Sequence, residues 1–192
     1  SEKVFLGTTI PASATVNVGG DIDIALDRLF NHANTAPFIS HRLIQQLVTS
    51  NPSAAYVGRV AAVFANNGSG VRGDLGAVVR AILTDTEARS VSAATSSASF
   101  GKLREPLIRM ANWARAFGAT SQTGNYLITS TSSNTALSQS ALTSPSVFNF
   151  WRPGFTPPGT TQLGQRTLVA PEFQVVDEVT ARIPDRFSFV EF

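Results

Sequence analysis

Residues 35–64 read TAPFISHRLIQQLVTSNPSAAYVGRVAAVF, and this stretch decides the fold. Apolar residues recur every three or four positions in both halves, which is the spacing that places them on one face of a helix. Ser50-Asn51-Pro52 lies between the halves, where a proline ends one helix and suits the start of the next. The stretch therefore predicts two consecutive helices, over about 36–50 and 53–65. The predicted apolar stripe of the second comprises Tyr56, Val57, Val60, Ala61 and Phe64.

The same periodicity extends outward from this pair. Further helices are predicted over about 22–30, 74–84, 104–117 and 171–181. Asp21 is the predicted cap of the first and Asp74 of the second, in which the periodicity turns Leu75, Val78, Val79 and Ile82 inward, and a proline lies in the first turn of each of the other two. Residues 1–20 are rich in turn-forming residues and predict an extended N-terminal arm, which leaves 21–192 as a single helical domain. The predicted fold class is mainly α, a helical bundle of five to six helices. Long irregular loops rich in proline and aromatic residues are predicted for the C-terminal half.

Composition and charge exclude several classes of protein. Hydrophobic residues make up 43% of the 192 residues and charged residues only 15%, below the roughly one quarter that is usual in soluble domains. Fifteen basic residues nearly balance thirteen acidic ones, and without a basic stripe nucleic-acid binding is not expected. The sequence has no cysteine, which excludes disulfides and thiolate metal sites, and no run of about 20 apolar residues predicts a membrane span.

The two histidines are the first candidates for a polar site. His32 and His41 are nine positions apart, whereas a helix usually presents metal-binding histidines four positions apart. One reading is a two-histidine metal site with Asp27. In the other, His32 bonds the last carbonyls of the first helix and His41 lies on the surface. No metal and no other cofactor is predicted.

Catalysis by this chain alone is not expected. No Gly-x-Ser-x-Gly stretch supplies the sharp turn that presents a serine nucleophile, and Gly68-Ser69-Gly70 is only a fragment of one. The glycine-rich loop 66–74 is read either as an ion-binding loop or as a helix connection that needs positive φ angles. For a site shared with a further N-terminal region, the candidate catalytic residues are His32, Asn34 and Arg42.

An aromatic segment, residues 144–159, is the richest feature of the second half. It reads SPSVFNFWRPGFTPPG, with four prolines and four large aromatic residues, so regular structure is not expected there. One reading is that the aromatic rings close a core that the long loops leave open. The other is a stacking platform for sugars or a peptide, with Trp151, Phe148 and Arg152 as candidate ligand-binding residues.

Several of these stretches, in this order, resemble one family of bacterial proteins. The stretches are HANTAPFI at 32–39, RLIQQLVTSNP at 42–52, VAAVF at 60–64, GVRGDL at 70–75, VVRAIL at 78–83, KLREP at 102–106, the aromatic segment and LVAPEFQ at 168–174. Over about residues 20–180 the chain resembles the C-terminal part of DUF1800, a family of bacterial proteins of unknown function. Residues 182–192 depart from the family pattern and are read as a divergent tail.

The resemblance implies a fragment of a longer protein whose N-terminal portion carries an export signal, and hence a periplasmic or extracellular location. It implies a partner, either another exported protein or the remaining N-terminal part of the same protein, and it brings no known activity. The leading prediction is an exported structural or protein-interaction module without its own catalysis. The alternatives are part of a hydrolase-like enzyme with a shared site, and carbohydrate binding through residues 148–155.

Overall fold

The computed structural model describes residues 1–12, 15–125, 131–132, 136–159 and 161–176. Within these residues the chain forms eight α-helices, one 3-10 helix and one two-stranded sheet, which confirms the mainly helical prediction. Contacts within the chain group it into two compact units, and the single helical domain over 21–192 stays a prediction. The first unit comprises Ser1–Leu47 and Ser53–Arg89, and the second comprises the described part of Val48–Pro52 and Ser90–Phe192.

The first unit begins with a hairpin and a helix. Strands β1 (Lys3–Phe5) and β2 (Thr8–Ile10) pair antiparallel, with Lys3 opposite Ile10. Helix α1 covers Val18–Phe30. It begins inside the predicted arm because the side chain of Asn17, rather than Asp21, accepts the hydrogen bond from a first-turn N–H.

Three helices of the first unit pack together. They are α2 (Thr35–Leu47), α3 (Ala54–Ala65) and α4 (Leu75–Thr84), and the short α5 (Thr86–Arg89) follows. Their buried apolar residues are Ala36, Ile44, Tyr56, Val60, Phe64, Val78 and Ile82. The stripe predicted for α3 is confirmed at Tyr56, Val60 and Phe64.

The start of α4 shows one prediction confirmed and one corrected. Asp74 caps the helix as predicted, because its side chain accepts a hydrogen bond from the N–H of Ala77. Leu75, which the periodicity places on the buried face, is instead exposed. Leu75 is the first residue of the helix, and the first buried position, Val78, lies about one turn later.

The second unit has shorter helices joined by irregular segments. They are α6 (Val91–Ser96), α7 (Pro106–Ala116), α8 (Gln162–Gln165) and a 3-10 helix over Pro171–Val175. The 3-10 helix covers the start of the helix predicted over 171–181, and residues 177–181 lie outside the described residues. Gly118 follows α7 with a φ of 62°, the left-handed conformation that ends many helices.

Side-chain to backbone hydrogen bonds hold the irregular segments of the second unit. The amide of Asn51 accepts from the N–H of Val169 at 3.0 Å and donates to its carbonyl at 2.8 Å. Leu107 packs against buried Met110 and Leu137. Polar contacts of this kind satisfy backbone groups in segments that form no regular helix or strand.

Candidate functional site

The three residues predicted for a shared catalytic site lie around the junction of α1 and α2. Nδ1 of His32 accepts a hydrogen bond from the backbone N–H of Asn34 at 3.2 Å, which closes the turn locally. Arg42 lies on α2, donates to Oε1 of Gln45 at 2.7 Å and places its guanidinium over the ring of Phe38. His32 and Asn34 therefore contact each other, while Arg42 is bound by other partners. Their catalytic role stays a prediction.

Arg72, which no local sequence pattern singles out, binds the carboxyl end of α1. Its Nε and Nη2 donate to the carbonyl of Phe30 at 3.1 and 3.0 Å, and Nη2 also reaches the carbonyl of His32 at 3.4 Å. The guanidinium lies 5.5 Å from the ring centre of Phe30 and 5.3 Å from that of Phe64. Arg72 thus performs the capping expected of His32, because a guanidinium offers five donors in one plane.

Metal ligands do not assemble within the part of the chain that the structure describes. No group of three or more histidine or acidic side chains there is placed to hold a metal ion. Burial lowers the pKa of His41, and the positive charge of neighbouring Arg42 lowers it further. The described residues therefore provide no ligand set for a site made of His32, His41 and Asp27.

The aromatic segment divides between core and surface. Trp151 is only 6% exposed, whereas Phe148 is 58% exposed. Arg152 is exposed, and its backbone N–H donates to Oε1 of Gln174 at 2.9 Å. A sugar stacks on the open face of a ring, so a stacking platform in this segment has Phe148 available rather than Trp151. Carbohydrate binding stays a prediction.

Helix α1 carries apolar side chains that its own unit covers only in part. None of its thirteen residues is buried. Nine large apolar side chains on this helix and on the chain that precedes it are between 40% and 92% exposed. Seven of them lie on the helix face of Ile22 and Leu26 or line the groove beside it, and we call these seven the α1 surface: Val4, Val16, Val18, Ile22, Leu26, Leu29 and Phe30. Monomeric proteins rarely leave contiguous apolar patches larger than a few hundred Å² in water.

A groove of about 610 Å³ runs along the α1 surface. Val18, Ile22 and Ala25 form its helical wall, and Val4 and Phe5 of the hairpin lie among the residues that line it. Nζ of Lys3 and Oδ2 of Asp21, both on residues that line the groove, form an ion pair of 2.6 Å. The groove therefore combines apolar side chains with one ion pair, and hydrophobic grooves are the kind that bind the apolar face of an amphipathic helix.

A buried polar cluster in the second unit is the other candidate. Lys102 and Glu172 form an ion pair, and their side chains are 7% and 2% exposed. Oε2 of Glu105 accepts from Nε2 of Gln139 at 2.8 Å, and Oε1 of that amide accepts from the N–H of Leu107 at 3.2 Å. We call Lys102, Glu105, Gln139 and Glu172 the buried cluster. Local sequence patterns do not reveal it, because its members are up to 70 positions apart.

The surroundings of Glu105 raise the pKa of its carboxyl group above the usual value. Burial is the main cause that raises the pKa of Glu105, and the negative charge of Glu172 raises it further. The hydrogen bond from Gln139 and the charge of Lys102 act in the opposite direction. Oε2 of Glu172 is buried and accepts no hydrogen bond from the residues that the structure describes. One ammonium thus lies near two carboxyl groups, of which Glu172 is buried and Glu105 is partly buried.

A cleft of about 330 Å³ lies beside this cluster, and Lys102 is one of the residues that line it. The other walls are mostly apolar: Phe100, Leu103, Leu163, Leu168, Val169 and Phe173. This volume falls at the lower end of the range for small-molecule pockets. The ammonium of Lys102 already has Glu172 as its partner, so the geometry suits a structural ion pair at the edge of a small cleft.

Comparison with known proteins gives the family of the chain. A family model described as "Protein of unknown function (DUF1800)" matches residues 1–190. The chain belongs to this family. The match confirms the resemblance and extends it over the N-terminal arm and most of the tail read as divergent. No curated protein and no solved structure matches this DUF1800 chain. None of the helices described for this family member is long and apolar enough to cross a membrane.

Proposed function

We propose that this DUF1800 chain is a protein-interaction module without catalysis of its own, and that the α1 surface is where the partner binds. The observation that carries the proposal is a thirteen-residue helix that buries none of its residues while its apolar side chains line a groove. A surface helix normally turns its apolar stripe toward its own core. A partner protein that covers α1 would bury the stripe in the assembled state.

Affinity isolation from the cells that make the protein tests this function. We would tag the full chain and compare it with Leu26→Asp and with Leu83→Asp. Leu26 and Leu83 are 56% and 51% exposed, on α1 and α4 respectively, so the second variant is a matched control. A specific partner is expected with wild type and Leu83→Asp and is expected to be lost with Leu26→Asp. Equal recovery with both variants contradicts the proposal.

We further infer that the module works outside the cytoplasm. The export signal that the family resemblance implies supports a periplasmic or extracellular location, and the cysteine-free sequence is compatible with it. Fractionation of cells that express the complete natural gene tests this inference. The chain is expected in the periplasmic or medium fraction, and retention in the cytosol contradicts the inference.

Catalysis is the second candidate, and the buried cluster is the observation that favours it. A carboxyl group with a raised pKa beside an ammonium is a common feature of acid–base sites, although structural ion pairs produce it as well. Glu105→Gln keeps the hydrogen-bonding shape and removes the proton donor. If the purified protein has hydrolase activity, Glu105→Gln and His32→Ala are the variants to compare. An unchanged rate in both excludes these residues from the chemistry.

Carbohydrate binding through the aromatic segment rests on the exposed ring of Phe148. Phe148→Ala is expected to abolish any signal that the wild-type protein gives on a glycan array. Trp151 is buried, so Trp151→Ala would lower stability instead of removing a free stacking face. No glycan signal with wild-type protein contradicts this candidate.

A further inference from the structure

Two carboxylates border one edge of the α1 surface. Asp23 and Asp27 are four positions apart and both are exposed, so they lie one above the other on the same edge of the helix. Successive residues advance by about 100° in a helix of 3.6 residues per turn, which places Leu26 and Phe30 directly beside this edge. Neither carboxylate forms an ion pair with any residue that the structure describes.

The positive charges near α1 are directed elsewhere. Lys3 pairs with Asp21 on the hairpin side of the helix, at 2.6 Å. Nε of Arg28 donates to the carbonyl of Leu6 at 2.9 Å, which is also on the hairpin side. Arg72 binds the carbonyls at the carboxyl end of α1. The edge of the α1 surface that carries Asp23 and Asp27 is therefore acidic. At the groove edge, the charges of Lys3 and Asp21 neutralise each other.

This distribution of charge discriminates between possible occupants. A second copy that packed its own α1 antiparallel across a two-fold axis would place the acidic edges of both copies side by side. Like charges in such positions oppose association. A helix that carries lysine or arginine along one border of its apolar stripe would instead meet Asp23 and Asp27 with opposite charge. An anionic membrane surface would be repelled by the same two carboxylates.

We propose that the α1 surface binds an amphipathic helix whose apolar stripe is bordered by basic residues. The proposal rests on the interaction function proposed above and adds the chemistry of the partner. The apolar anchors of the bound helix contact Val18, Ile22, Leu26 and Leu29, at the spacing that helix-in-groove recognition uses. Its basic border contacts Asp23 and Asp27, and the hairpin forms the opposite wall.

Binding of two synthetic peptides to the full chain tests this proposal. Both peptides carry the same leucine stripe over about 18 residues, long enough to be helical in water. One has lysine and the other glutamate along the border. Fluorescence anisotropy is expected to show that the lysine peptide binds about tenfold or more tightly than the glutamate peptide, with an affinity that falls as salt rises.

Protein variants assign the binding to the α1 surface. Asp23→Asn with Asp27→Asn is expected to remove most of the preference for the lysine peptide. Leu26→Asp is expected to abolish binding, and Leu83→Asp, at a similarly exposed leucine on α4, is expected to leave it unchanged.

Three results would overturn the proposed partner chemistry. Equal affinity for both peptides, with binding lost in Leu26→Asp, would support a docking surface on α1 but refute the basic border of the partner helix. No binding of either peptide would refute the amphipathic helix, while loss of a natural partner in Leu26→Asp would still support the interaction function. Binding to anionic vesicles that depends on Leu26 would assign the surface to membranes. It would refute both the amphipathic-helix partner and the protein-interaction function.

Discussion

Tyr56 shows how one polar atom can be accommodated in the apolar core of the first unit. Its side chain is fully buried, and its hydroxyl donates to the carbonyl of Ile82 at 2.6 Å, joining α3 to α4. Tyr56→Phe removes the donor and leaves a buried carbonyl unsatisfied. The free energy of unfolding is expected to fall by about 1–2 kcal/mol, measured by urea denaturation. No change in stability would contradict this assignment.

The same residue predicts a dependence on alkaline pH. Burial, followed by the charges of Asp85 and Glu87, raises the pKa of Tyr56 from 10.0 to about 12. A group whose pKa is raised on folding stabilises the fold below its unfolded pKa and loses that contribution as pH rises through its folded pKa. Wild-type protein is therefore expected to lose more stability between pH 10 and 12 than Tyr56→Phe does. Parallel losses in the two proteins would contradict this account.

The ion pair of Lys102 and Glu172 gives a second prediction for single residues. Lys102→Met leaves the carboxylate of Glu172 buried without its partner, which is expected to cost about 3–5 kcal/mol of unfolding free energy. The double variant Lys102→Met with Glu172→Leu replaces both charges by apolar groups and is expected to recover most of that loss. Thermal and urea denaturation measure both. A double variant as unstable as the single one would show that the pair is not the cause.

At the scale of elements, hydrogen bonds within the loop stabilise the connection between α3 and α4. Oδ1 of Asn67 accepts from the N–H groups of Ser69 and Val71, and its Nδ2 donates to the capping carboxylate of Asp74 at 2.7 Å. Asn67→Ala removes all three bonds and is expected to lower stability by about 1–2 kcal/mol. Ser69→Ala, in the same loop, is the control and should change little. Equal effects would argue against Asn67 as the organising residue.

Helix α1 differs from α3 in the burial of its apolar residues. Leu26 is exposed, so Leu26→Asp is expected to change the free energy of unfolding by no more than about 0.5 kcal/mol. Val60 on α3 is fully buried, and Val60→Asp is expected to cost more than about 4 kcal/mol because it buries a charge. Chemical denaturation compares the two. A large loss in Leu26→Asp would mean that α1 is already packed within its own unit.

At the scale of the whole molecule, local sequence signals predict elements better than sites. Periodicity and caps place α3 and α4, because Tyr56, Val60 and Phe64 repeat every four positions and Asp74 precedes an apolar run. Local patterns do not predict the buried cluster, because Lys102 and Glu172 are 70 positions apart in the sequence and come together only in the folded chain. Periodicity also cannot distinguish the stripe of α1 from that of α3, because a stripe that awaits a partner has the same spacing as one that faces a core.

The most direct test of the central claim is site-specific photo-crosslinking in the cells that make the protein. A photoreactive phenylalanine analogue would replace Leu26 in one variant and Leu83, exposed to a similar degree on α4, in the other. We expect one discrete protein adduct at Leu26, its loss when Ile22→Asp is added, and no such adduct at Leu83. The same products at both positions, or no adduct at Leu26, would contradict the account of α1 as a docking surface.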